Sequence, residues 1–85
     1  MYENEDKHMD QGSERDSAKR ALVRLHRDAR GAMSAGLHML AREKLLLAGL
    51  VCEKLPSCER AFELAFVEAR MCELRSLVAS AGGAL

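Results

Sequence analysis

From residue 18 onward, apolar side chains return every three or four positions. Ala18, Leu22, Leu25, Ala29, Ala32, Met33, Leu37 and Leu40 form one stripe. Stepping on by 100° per residue adds Leu47, Leu50 and Val51. This spacing predicts one long amphipathic helix over residues 18–54. Gly31, Gly36 and Gly49 lie inside it, each costing about 1 kcal/mol relative to alanine in a helix. Gly31 and Gly36 flank Ala32-Met33-Ser34-Ala35, which makes that stretch the place for a kink or break. Pro56 ends the helix, because proline disfavours the helical region for Leu55 before it. Ser57 then suits the cap of a second helix over residues 58–80, with Glu59 in its first turn and Gly82-Gly83 stopping it. No apolar-polar alternation of useful length occurs, so no strand is expected. The fold class is therefore all-α. The short turn Leu55-Pro56-Ser57 makes the two helices an antiparallel hairpin.

Residues 1–16 show no apolar period and carry six acidic and two basic side chains. They read as a disordered acidic arm, with Ser17 capping the helix that follows. The helical hairpin occupies residues 17–81, and residues 82–85 form a flexible tail. A chain of 85 residues holds one domain at most.

The second helix has two apolar sides. Taking Phe62 as origin, Cys58, Ala61, Phe62, Ala65, Phe66, Ala69 and Cys72 cover an arc of about 140°. Leu64, Val67, Met71, Leu74 and Val78 cover about 80° on the opposite side. A helix in a two-helix hairpin needs one buried stripe, so something must cover the other. Phe62 and Phe66 are the largest side chains and stand beside small alanines that permit close approach. The Phe62 side is therefore expected to face the first helix. Leu64, Val67, Met71, Leu74 and Val78 become the protein interface. Their cover is a second copy in a homodimer, another helical protein, or a third segment of the chain itself.

Net charge is zero, yet the charges are segregated. Residues 17–44 carry seven basic and two acidic side chains, against the net negative arm. Arg20, Arg24, Arg27 and Arg42, with His38, share the side of the first helix opposite its apolar stripe. Such a stripe is a candidate anion-binding surface and supports an alternative function, a homodimeric regulator that binds nucleic acid. No aromatic is interleaved with it. A solvated face meeting acidic groups on a partner or on residues 3–16 is the simpler expectation.

The three cysteines, Cys52, Cys58 and Cys72, and the three histidines match no common zinc spacing. Cys52 and Cys58 flank the turn within disulfide reach, as incidental chemistry. No metal, no cofactor and no catalytic residue is expected, and the chain reads as a non-enzyme. The odd cysteine count suits reduced thiols in a cytoplasmic setting. The longest apolar run, Leu45 to Cys52, is far short of the roughly 20 residues of a membrane span.

The layout of polar arm, long helix, turn at Leu55-Pro56-Ser57 and second helix resembles the small co-chaperones of the type III secretion needle subunit. The likeness spans residues 17–80 and is architectural. It implies an antiparallel helical hairpin that joins a larger repeat-type helical chaperone and holds the needle subunit unpolymerised. Needle subunits share the flexible arm, the two helices and the proline-serine turn. No functional residue is carried over from either group. The resemblance sharpens the expected function, a small protein-binding chaperone or adaptor, into one acting on a secretion component.

Overall fold

The computed structural model describes the backbone of residues 2–82 and the side chains of residues 14–82. It contains three helices, α1 (Tyr2–Ser34), α2 (His38–Cys52) and α3 (Ser57–Ser80), with no strand among the described residues. The all-α class therefore stands, and the two-helix hairpin is corrected to three helices. The expected disordered arm, residues 1–16, falls on a stretch whose side chains up to residue 13 lie outside the described residues. The expected flexible tail lies outside them from residue 83.

The single helix expected over 18–54 breaks after Ser34, and the break is built by Gly36. Its φ is +78°, a region where an L side chain is strained but glycine is not. Leu37 N–H donates to the Ala32 carbonyl at 2.8 Å and Gly36 N–H to the Met33 carbonyl at 3.1 Å. This pair of bonds is the Schellman arrangement, which satisfies the last carbonyls of α1 and turns the chain out of the helix. Ser17 lies within α1 rather than at its start. Ser57 is the first residue of α3, preceded by Pro56 and making no side-chain cap bond. The Leu55 carbonyl in that turn accepts a bond from Arg60 Nη2 at 3.0 Å.

α1 and α2 run antiparallel, with Lys44 Nζ 3.9 Å from Asp28 Oδ2 across them. α3 returns along α2, and therefore runs parallel to α1. The molecule is long and thin, with Cα extents of 59 × 23 × 14 Å. The core is one continuous cluster in which α2 is central. Ala41, Leu45, Ala48 and Cys52 on α2 are fully buried, with Ala18, Leu22, Ala29 and Ala32 on α1 and Val67, Leu74 and Val78 on α3. Leu25, Met33, Leu64 and Met71 pack around it, half-buried.

The break has a further consequence. Ending one helix and starting another resets the angular phase, so the stripe read through 18–51 does not continue. Leu37, Leu40, Leu47 and Leu50 are exposed, and Ala41, Leu45, Ala48 and Cys52 take the core instead.

The orientation of α3 is also the reverse of the one expected. Val67, Leu74 and Val78 are buried, Leu64 and Met71 half-buried, and Phe62 is exposed. Two features explain this. The Val67 side is apolar along the whole helix, whereas the Phe62 side continues into Glu73, Ser76 and Ser80, which would be costly to bury. The small residues that allow close approach are supplied by α2, as Ala41, Ala48 and Cys52. Large aliphatic side chains on α3 fill the space they leave.

Candidate protein-binding surface

Two surfaces stand out. The first is the outer face of α2. At 100° per residue, Met39, Leu46 and Leu50 lie opposite the buried Ala41-Leu45-Ala48-Cys52 stripe. They are 57%, 46% and 64% exposed, with Leu40 and Leu47 flanking them. The apolar run from Leu45 to Cys52 produces this arrangement, because eight consecutive apolar or small residues cannot all fit on one side of a helix. That run is the sequence signal of a two-faced α2, legible once the helix is divided at Gly36. On α3, Phe62 is 72% exposed and stands among exposed Cys58, Ala61, Ala65 and Ala69.

The second surface is an open groove of about 610 Å³ between α1 and α3. These helices meet through long side chains. Glu59 on α3 accepts from Arg15 Nε at 2.9 and 3.1 Å and lies 2.9 Å from Arg15 Nη2 and 3.5 Å from Lys19 Nζ. The hydrogen bonds from Arg15, then the charges of Arg15 and Lys19, hold the Glu59 carboxyl below its ordinary range, and the bond to Glu59 and then its charge raise Arg15 in turn. Further along, the His26 ring stacks on Phe66 with centroids 4.7 Å apart. The guanidinium carbon of Arg70 sits 5.2 Å from the Phe66 centroid, a cation–π contact. Leu22, Val23 and Phe66 give the groove apolar walls, and Lys19, Arg27, Arg30 and Arg70 give it a basic lining, with Glu63 as the one carboxylate among the residues that line it.

His26 is the unusual member. Both ring nitrogens are buried without a hydrogen-bond partner among the described residues. Burial pushes its pKa below the ordinary value and Arg70 adds to this, while Glu63 acts the other way. The neutral imidazole is thus the stable form, behaving as a flat apolar ring against Phe66.

The structure divides the expected sites. Leu64, Val67, Met71, Leu74 and Val78, expected as the interface, pack in or against the molecule's own core, on α2, which is the second half of the helix expected over 18–54; the side of α3 left uncovered is the Phe62 side. Arg20, Arg24 and Arg27 remain exposed on α1. Arg42, expected on the same stripe, is carried by the break onto α2 with His38, where both are half-buried. Cys52 is buried and free, and its thiol is pushed up by burial and then by Glu63. Cys58 and Cys72 are free and exposed. No group of three His, Cys, Asp or Glu side chains among the described residues is placed to hold a metal. None of the described helices is long and apolar enough to cross a membrane. Neither a protein-family model, nor a curated protein, nor a solved structure matches this chain.

Proposed function

We propose that this chain is a small helical adaptor or chaperone that binds another protein through apolar surface left outside its own core. The observation that carries this reading is the outer face of α2. Met39, Leu46 and Leu50 stand exposed on the helix whose opposite side forms the centre of the core. Exposed aliphatic rows of this kind on a small protein mark interaction sites. The three-helix body is already complete around Leu45 and Leu74, so the docking face moves from the Val67 side of α3 to α2, with Phe62 as an outlying anchor. The narrower form, a co-chaperone of a type III secretion needle subunit, rests on the likeness of layout alone. The division of the first helix at Gly36 departs from the hairpin of that family.

The nucleic-acid alternative rests on Arg20, Arg24 and Arg27, which keep a common exposed side of α1. Without Arg42 that stripe is short, which favours the adaptor reading.

The test is co-purification from the native host with the double variant Leu46→Asp/Leu50→Asp. Both positions are solvent-exposed, so helicity and melting temperature should stay close to wild type, while partner capture is lost. A partner retained at wild-type level by a folded variant refutes the α2 face.

A further inference from the structure

The groove between α1 and α3 has a charge imbalance that the described residues do not resolve. Of its four cations, Lys19 is engaged with Glu59, and Arg70 with Glu73 at 2.8 Å. Arg27 and Arg30 have no carboxylate within 4.0 Å among the described residues. They are exposed, and stand beside the apolar Val23 and Phe66. A matching occupant carries carboxylates and a few apolar groups on one helical face.

The chain contains such a segment. Residues 1–16 hold six acidic and two basic side chains, and Tyr2 and Met9 are seven residues apart, with Asp6 between them. At that spacing all three fall on one side of a helix. The excess of positive charge in residues 17–44 and the excess of negative charge in residues 1–16 are complementary within a chain of zero net charge.

The same molecule cannot bring the two together while α1 is one helix. Asp10 and Arg27 are separated by 17 residues of α1, about 25 Å along the axis at 1.5 Å per residue. α3 begins at Ser57 and its Glu59 already lies beside Arg15, so residues 2–13 extend past the end of the α2–α3 body. A second copy laid antiparallel solves this. With a two-fold axis near residue 18 of α1, the acidic stretch of each copy lies along the basic groove of the other, and Asp6 and Asp10 come level with Arg30 and Arg27. The contact is isologous and closes on itself, the ordinary geometry of a homodimer.

We propose that the α1–α3 groove binds the acidic amino-terminal stretch of a second copy of this chain, so that the protein is a two-fold dimer exchanging acidic helix ends. This surface is separate from the outer face of α2, and the proposal does not depend on the adaptor reading. The dimer leaves Met39, Leu46 and Leu50 free for a partner.

The experiment is analytical ultracentrifugation of the full chain at low salt. The variants are Arg27→Glu/Arg30→Glu and Asp6→Lys/Asp10→Lys, each alone and then mixed in equal amounts, with circular dichroism showing that each is helical. Wild type should be a dimer that weakens as salt is raised toward 1 M, because exposed charge pairs are screened. Each variant alone should raise the dimer dissociation constant about tenfold or more, the order expected for losing several close charge pairs. The mixture should restore dimers, since reversed charges on both sides are again complementary. A wild type that stays monomeric at all concentrations overturns the proposal. So does an Arg27→Glu/Arg30→Glu variant that dimerises like wild type, or a mixture that fails to recover. Duplex DNA binding lost in that variant, with a monomeric wild type, would assign the arginines to nucleic acid instead.

Discussion

At the scale of single residues, His26 shows how a polar side chain is made to behave as an apolar one. Its two ring nitrogens find no partner among the described residues, and its ring lies flat on Phe66. Protonating it would place a charge in the helix interface close to Arg70. The folded-state pKa is lowered, so the unfolded chain binds the proton more readily between the two values. Stability is therefore complete above the ordinary histidine pKa near 6.5 and falls as pH drops below it toward the folded-state value. Thermal melts of wild type and His26→Phe between about pH 7.5 and 5 should diverge, wild type losing more than the variant. Parallel curves would show that His26 titrates as freely when folded as when unfolded. Glu59 adds to the acid sensitivity of both proteins, because its lowered pKa is shared by each.

At the scale of the element, α3 illustrates the choice between two apolar faces. The winning side is aliphatic from Leu64 to Val78, and the losing side, although it holds both phenylalanines, turns polar at Glu73. Val67→Asp should unfold the isolated chain, since it buries a carboxylate among Leu74 and the small residues of α2. Phe62→Asp should leave the melting temperature within a few degrees of wild type, since the ring is mostly in solvent. Circular dichroism melts of the two variants decide it, and the reverse pattern would return the Phe62 side to the core. The groove supports the same assignment from the other direction. Phe66, one turn on from Phe62, reaches α1 through the His26 ring rather than through the main core.

For the whole molecule, the decisive position is Gly36. Its left-handed φ separates α1 from α2, folds α2 back on α1, and exposes a new face of α2 to solvent. A Cβ at Gly36 would meet nothing within 4 Å, so space is not the constraint there. The backbone conformation is. Gly36→Ala should cost about 1–2 kcal/mol. Gly49 lies in the middle of α2 with equally open surroundings and no positive φ. Gly49→Ala should stabilise by about 0.5–1 kcal/mol, the usual gain on replacing a mid-helix glycine. Urea unfolding of the pair measures both. Equal shifts of the same sign would mean that the turn at 35–37 is not held in the left-handed form in solution.

The amino-acid pattern alone determined the helical class, the stop at Pro56, the span of α3 to within a residue, and the core positions Ala18, Leu22, Ala29 and Ala32. These follow from local period and from proline chemistry, which act within a few residues of each position. It also held, in the run from Leu45 to Cys52, the sign that α2 is apolar on more than one side. Tertiary structure decided the rest. Gly36 was one of three glycines inside an unbroken period, and each is tolerable in a helix at similar cost. Only the gain from packing α2 back against α1 selects which one turns. Once it turns, the phase of every later residue is set anew, so Leu47 and Leu50 pass to the surface and Leu45 and Ala48 to the core. The face of α3 is chosen last, because it depends on small residues of α2 that come inward only after that turn. Periodicity records which residues share a side of a helix; which side is buried is a property of the neighbour it meets.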